Sequence, residues 1–124
     1  MWNYLAVAAG GVIGCCARYG ITQLVQLVYG RAFPLATFLI NVAGCFLMGW
    51  LFFLTLERLS LSPTLRTAIL TGGLGGFTTF STFAMEALLL VEDGETKTAL
   101  LYVVASVAVG LAAAFAGAWL ARSF

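Results

Sequence analysis

Four long apolar segments, separated by short polar connections, make up almost the whole chain. The segments run from about Trp2 to Val28, Pro34 to Leu56, Pro63 to Val91 and Lys97 to Leu120. A helix needs about 20 mostly apolar residues to cross a bilayer, so each segment is long enough to do so. The connections at 29–33, 57–62 and 92–96 are too short to fold on their own. The pattern predicts one all-α transmembrane domain of four helices over residues 1–124.

The third segment contains an unusual stretch, TGGLGGFTTFSTF, at positions 71–83. Each of its four glycines weakens a helix by about 1 kcal/mol relative to Ala, so we expect them to break the third helix within the membrane. Backbone groups freed in lipid need protein, water or an ion as partners, and unwound carbonyls commonly bind cations. A kink or a close-packed glycine cluster is the alternative. The hydroxyl side chains that follow favour an ion.

Polar side chains also lie inside the predicted helices, where they are costly and usually face protein or water. Asn41 and Thr37 lie one turn apart on the second helix, and Tyr102 and Ser106 share a face of the fourth. A purely structural interpretation is that these side chains form hydrogen bonds between helices or lie at the membrane interface. Taken together, these residues suggest a line of hydrogen-bond donors.

Two charged residues fall inside the predicted spans. Arg18 either snorkels from the end of the first helix or is paired inside the protein. Glu86, in the second half of the third segment, is either a proton or cation site or a carboxylate near the membrane surface.

Three phenyl rings accompany the hydroxyl groups of the third segment. Phe77, Phe80 and Phe83 are spaced three apart, so they lie along one helical face. A phenyl ring has a positive edge, and ring edges along a dry path would be weak donors toward an anion. With the nearby hydroxyls and the Asn41 amide, such a path favours a small anion that accepts strong hydrogen bonds.

Lysine and arginine are almost evenly divided between the two ends of the predicted bundle. One end carries Arg58, Arg66 and Arg122, and the other carries Arg31 and Lys97. Such a weak bias either reflects few charges or one dominant connection, or indicates insertion in both orientations with antiparallel pairing. Small residues leave a similar choice between packing inside one bundle and a dimer face: Gly10 with Gly14, and Gly110 with Gly117. The small size favours a homo-oligomer.

Composition agrees with a membrane protein and argues against other classes. The 124 residues are 62% hydrophobic and 9% charged, against about 25% charged in typical soluble domains. The net charge of +1 gives no indication of nucleic-acid binding, and there is no His. The three cysteines lie in apolar segments without metal-site spacing. We therefore do not expect an enzyme. We also expect no cleavable signal peptide, because the first apolar segment is longer than that of a signal peptide.

The run GGLGGFTTFSTF at 72–83, followed by Glu86, resembles the characteristic motif of the Fluc (CrcB) fluoride channel family. GVIGCCARYG at 11–20, FLINVAGCFLMG at 38–49, the length and the four spans support this resemblance along the whole chain. It implies a dual-topology antiparallel homodimer in the cell inner (plasma) membrane. Such a dimer exports cytoplasmic fluoride passively through two pores and holds a central structural sodium ion.

The resemblance also implies roles for individual residues. Phe80 and Phe83 match the aromatic pair that lines the pores, and Asn41 matches the pore asparagine. A further set matches a polar track along the pore: Thr37, Ser81, Thr82, Tyr102 and Ser106. Gly110 departs from the pattern, because the family often has another hydroxyl one turn beyond Ser106.

Four more residues match supporting or metal-binding positions of the family. Arg18 matches an arginine near a vestibule, and Glu86 matches the third-span glutamate. Gly75 and Thr78 match the residues whose backbone carbonyls hold the sodium ion.

Other functions remain as alternatives. A small proton-coupled multidrug exporter needs an acid early in the chain, but no Asp or Glu precedes Glu57. Proton-coupled transport of fluoride or another small ion through Glu86 is a closer rival. A non-transporting membrane assembly subunit, whose polar groups would only join helices, is the third.

Overall fold

A computed structural model describes residues 1–123 and contains four helical spans. Each is long and apolar enough to cross a membrane. The helices are α1 (Trp2–Tyr29), α2 (Leu35–Glu57), α3 (Pro63–Thr67), α4 (Gly75–Phe77), α5 (Phe80–Glu92) and α6 (Thr96–Ser123), with a π-helical segment, Ala68–Leu74, between α3 and α4. The elements from Pro63 to Glu92 together form the third span. All predicted span ends agree with the structure within three residues.

The third span leaves the helical conformation at two adjacent threonines. Thr78 has φ −81° and ψ 157°, and Thr79 has φ −150° and ψ 117°, which are extended values. Helix α5 then begins at Phe80, and the Thr79 hydroxyl accepts a hydrogen bond from the Thr82 N–H. A threonine before the first helical residue is a preferred cap for exposed N–H groups.

The glycines of the third span are themselves helical, so the expectation that they break the helix is wrong. Gly72 and Gly73 lie in the π-helical segment, and Gly75 and Gly76 belong to α4. The reason is close packing against α1. A Cβ on Gly76 would stand only 3.0 Å from the Gly11 carbonyl oxygen. The contact between backbones compensates for the low helix propensity of glycine.

The glycines of α1 contribute to the same contact. A Cβ on Gly10 would overlap the carbonyl oxygen of Ala68, and one on Gly14 would overlap that of Gly73. Within this chain, the first GxxxG pair therefore packs α1 against the third span.

Helices α2 and α6 form the other close pair and have the most extensive mutual contact in the chain. A Cβ on Gly49 would overlap the Ala114 carbonyl oxygen, and one on Gly117 would overlap that of Phe46. Gly110 is also buried, with the Cys45 sulfur as the nearest neighbour of a Cβ at that position. Gly117 therefore also has a packing role inside one chain.

Candidate functional site

Asn41 on α2 holds the backbone of the third span at its interruption. Its side-chain Nδ2 donates to the Thr79 carbonyl at 2.9 Å, and its Oδ1 accepts from the Thr79 N–H at 2.8 Å. One amide thus satisfies both polar groups of a residue that has left the helix. Because such groups cannot remain unpaired in a bilayer, Asn41 stabilises the extended conformation there.

Glu86 on α5 accepts hydrogen bonds from two other helices. Thr37 of α2 donates its hydroxyl to Oε1 at 2.8 Å, and Tyr102 of α6 donates its hydroxyl to Oε2 at 2.8 Å. Thr37 and Tyr102 are buried, Tyr102 completely. The carboxylate therefore lies among the helices and connects two other predicted residues, Thr37 and Tyr102.

Aromatic rings connect this group to the start of α5. The ring centroids of Phe80 and Phe83 are 5.5 Å apart, and those of Phe83 and Tyr102 are 5.2 Å apart. Phe33 meets the Tyr102 ring edge-on at 5.6 Å. Phe83 is buried, whereas Phe80 is 78% exposed in the single chain. The two phenylalanines therefore lie side by side, one inside the bundle and one on its surface.

A cavity of about 360 Å³ lies beside these rings, between α2, α5 and α6. Phe80, Phe83, Asn41 and Ser106 all line it. The Ser106 Oγ is buried and has no hydrogen-bond partner among residues 1–123. The cavity wall thus combines phenyl rings, an amide and a free hydroxyl.

Arg18 is paired rather than only snorkelling. Its Nε donates to the Gly76 carbonyl at 3.0 Å. Gly76 lies in the last turn before the interruption, where carbonyls lose their helical partners. The guanidinium therefore caps the carbonyl end of the helical segment that precedes Thr78.

Two further carbonyls, those of Gly75 and Thr78, lose the N–H partners that a continuous helix would supply four residues later. The Thr79 N–H donates to Asn41 instead of Gly75, and the Thr82 N–H donates to the Thr79 hydroxyl instead of Thr78. Gly75 is also exposed on the surface of the chain. These two carbonyls are the ones that the family resemblance implies for a sodium ion.

Six of the twelve predicted residues come together in one group, and the others lie beside it or apart from it. The group formed by α2, α5 and α6 contains Asn41, Thr37, Phe83, Glu86, Tyr102 and Ser106. Thr82 contacts Thr79 at 2.9 Å between their hydroxyls. Ser81, in contrast, is exposed and makes no side-chain hydrogen bond within residues 1–123.

Sequence reasoning missed three residues of this region. Thr79 is the backbone partner of Asn41 and the cap of α5, and a threonine ahead of an apolar helix is a sequence signal that could have indicated it. Phe33 packs on Tyr102, and Cys45 lines the cavity. Neither residue has a local sequence signal for this position, because its neighbours belong to other parts of the chain.

Comparison with known proteins gives a consistent result. The model of the CrcB-like protein family, Camphor Resistance (CrcB), matches residues 5–118. A protein of Acidithiobacillus ferrooxidans named fluoride-specific ion channel FluC is 59% identical over 94% of each chain. Fluoride-specific ion channel FluC 1 of Moorella thermoacetica is 45% identical over 96% of this chain and 85% of the relative. The relative of Rhizobium meliloti, also named fluoride-specific ion channel FluC, is 42% identical over 99% and 98%.

The extent of these matches decides the family. They cover nearly the whole chain, and the relatives are named as channels rather than enzymes. With four apolar helices of spanning length, the chain is a multi-pass protein, in bacteria one of the plasma membrane. It belongs to the CrcB-like protein family.

Proposed function

We propose that this protein is a fluoride-selective ion channel that exports cytoplasmic fluoride passively through two pores of an antiparallel homodimer. The observation that carries the proposal is the group of donors around Phe83. An amide, three hydroxyls and one phenyl ring meet between apolar helices, and a second phenyl ring lies beside them at the surface of the single chain: Asn41, Thr37, Tyr102, Ser106, Phe83 and Phe80. The names of the relatives identify fluoride as the ion.

The chemistry of this group suits fluoride. A permeable path must replace the water around a strongly hydrated ion without holding the ion too tightly to release it. Neutral donors and ring edges meet both requirements, because none carries a full positive charge. A lysine in the same place would risk trapping the anion. Among the six residues named above, none is cationic.

The antiparallel homodimer is supported by the exposed side of the site. Phe80 is 78% exposed although its ring neighbours the buried Phe83. A second copy against this face would cover Phe80 and let both rings line a path. The near-even distribution of lysine and arginine suits the insertion of copies in both orientations.

The proposal includes a structural sodium ion at the interruption in the third span, which we place near the middle of the membrane. The carbonyls of Gly75 and Thr78 have lost their helical partners, and carbonyl oxygens are suitable ligands for sodium. Two facing copies would supply four such oxygens. No group of three or more His, Cys, Asp or Glu that could hold a metal occurs within residues 1–123, so backbone oxygens fit this role. Bound sodium would stabilise the dimer.

Proton-coupled fluoride transport is a second candidate, which the position of Glu86 favours. Its half-buried carboxylate accepts hydrogen bonds from two other helices of the bundle. A transported proton would need such an internal acid. Passive conduction requires no proton gradient, so the two functions differ in a measurable way.

The test is ion efflux from liposomes that contain the purified protein, followed with fluoride and chloride electrodes. We expect rapid fluoride efflux, no chloride efflux and no dependence of the fluoride rate on an imposed pH gradient. Phe80→Ile and Phe83→Ile should each slow the fluoride rate strongly, because an aliphatic group lacks a positive ring edge. Leu101→Val, at an exposed position of α6, is the matched control.

Three outcomes would contradict the proposal in different ways. Equal fluoride and chloride rates would leave a pore but remove its selectivity. A fluoride rate that follows the pH gradient would favour proton coupling through Glu86. Folded dimers that move neither ion would indicate a non-transporting assembly subunit.

A further inference from the structure

A second cavity, of about 270 Å³, lies at the end of the bundle where α1 turns into α2 and α5 ends. Its wall includes the connection after α1 and the last turns of α5. Arg31, Glu86 and Asp93 are the charged residues that line it. The cavity therefore brings one cation and two carboxylates to one end of the protein.

This cavity is linked to the proposed fluoride path through direct contacts. Glu86 lines the cavity and accepts the Tyr102 hydroxyl, and the Tyr102 ring packs against Phe83. Phe83 lines the larger cavity. Glu86, Tyr102 and Phe83 therefore form a continuous series of side-chain contacts between the two cavities.

Arg31 and Asp93 are not paired with each other. In the part of the chain that the structure describes, the ion pair within 4 Å is Arg122 with Glu57, at the other end of the bundle. Arg31 and Asp93 are both exposed, and neither side chain makes a hydrogen bond within residues 1–123. Their charges are therefore available to an ion in the cavity.

The arginines at the opposite end have internal partners. Arg66 donates to the Thr55 hydroxyl at 3.0 Å and stacks over the Phe52 ring. Arg122 bonds Glu57 and stacks over Phe53. This contrast distinguishes Arg31 from the arginines that hold helices together.

We propose that this second cavity is one mouth of the fluoride path, and that the opposite charges of Arg31 and Asp93 set the rate at which anions enter it. The inference rests on the proposed channel function. Arg31 attracts the anion and Asp93 repels it. Charges in a cavity with low-dielectric walls change the local concentration of a diffusing ion, and added salt weakens the effect. Neither residue needs to bind the ion tightly.

The test is the initial rate of fluoride efflux from liposomes at a fixed fluoride concentration and two ionic strengths. Potassium isethionate, whose anion is much larger than fluoride, raises the ionic strength from about 0.01 M to about 1 M, which shortens the screening length from about 30 Å to about 3 Å. Arg31→Gln and Asp93→Asn are the test variants. Lys97→Gln and Glu92→Gln make the same charge changes at exposed positions outside the cavity wall.

We expect opposite effects from the two test variants. At low ionic strength, Arg31→Gln should reduce the rate about threefold and Asp93→Asn should raise it about threefold, as expected for one unit charge several ångströms from the ion in water. At high ionic strength both should approach the wild-type rate. The two control variants should change the rate by clearly smaller factors.

Several results would overturn the inference. Test variants that behave like their controls, change the rate in the same direction, or keep their effect at high ionic strength would each rule out an electrostatic role in the mouth. In these cases a conducting wild-type protein would leave the proposed function intact. A wild-type protein that moves no fluoride would instead remove the proposed function, and this inference with it.

Discussion

Asn41 shows how one side chain can replace the hydrogen bonds of a helix. It both donates to and accepts from the backbone of Thr79, so that residue can be extended while its own N–H and carbonyl remain paired. Arg18 has a related role one turn earlier, at the Gly76 carbonyl. These polar residues are therefore structural as well as candidates for contact with an ion.

The first prediction concerns the Asn41 amide. Asn41→Ala should lower the free energy of unfolding by about 1–3 kcal/mol, because the Thr79 N–H and carbonyl lose their partners in an apolar environment. Unfolding of the purified protein in mixed detergent micelles, followed by circular dichroism, would measure the change. Gln23→Ala removes an amide from an exposed position and should change stability little. Equal losses in the two variants would contradict a supporting role for Asn41.

The sequence indicated candidate site residues but not which partners they take. The predicted site residues Asn41, Thr37 and Tyr102 all lie where α2, α5 and α6 meet. Three of the hydrogen bonds that the predicted residues make join positions 38 to 58 residues apart along the chain. They are Asn41 with Thr79, Thr37 with Glu86, and Arg18 with Gly76. Spacing within one helix reveals which side chains share a face, but it does not fix the rotation of that helix against another.

At the scale of whole elements, hydropathy located all four spans. Helix propensity, however, misplaced the interruption in the third span. Propensity placed it at the glycines, whereas the structure places it at Thr78 and Thr79. Propensity describes a helix in isolation, and here α1 lies against the glycines closely enough to keep them helical. The helix is interrupted at Thr78 and Thr79 because the Thr79 hydroxyl caps the following helix and the Asn41 amide pairs with the Thr79 backbone.

The second prediction tests this contact between α1 and the third span. Gly14→Ala should lower the free energy of unfolding by about 1–3 kcal/mol, since the new methyl group would overlap the Gly73 carbonyl and push the helices apart. Gly20→Ala, in the same helix, has no atom within 4 Å of the new Cβ. It should be neutral or stabilising by up to about 1 kcal/mol. The same unfolding assay compares the two, and a similar response would show that backbone contact is unimportant here.

At the scale of the whole molecule, the single chain leaves part of its site uncovered. Phe80, Gly75 and Ser81 lie at the surface, whereas Phe83, Thr37 and Tyr102 are buried. The sequence could predict the bundle, because apolar length fixes the spans. It could not predict which face of the bundle remains open, because that depends on how the four helices pack.

The third prediction concerns orientation in the membrane. A reporter fused to the C-terminus should be found on both sides of the membrane for the wild-type chain. Leu59→Lys with Ser60→Lys should bias insertion one way, and Glu95→Lys with Thr96→Lys should bias it the other way, because positive connections remain cytoplasmic.

Fluoride efflux provides the functional readout for the same variants. Each double variant alone should reduce efflux to near that of empty liposomes, since parallel copies cannot form the proposed dimer. Expression of both in the same cells should restore the efflux. A wild-type reporter found on one side of the membrane only would contradict dual topology.

The unpartnered hydroxyl of Ser106 has a consequence for the energetics of an ion in the larger cavity. Thr37 and Tyr102 already donate to Glu86, so an anion that takes either hydrogen must compete with a carboxylate. Ser106 has no such prior bond to another protein group within residues 1–123. An anion at Ser106 would therefore not have to compete with a carboxylate for the hydroxyl hydrogen, as it would at Thr37 or Tyr102.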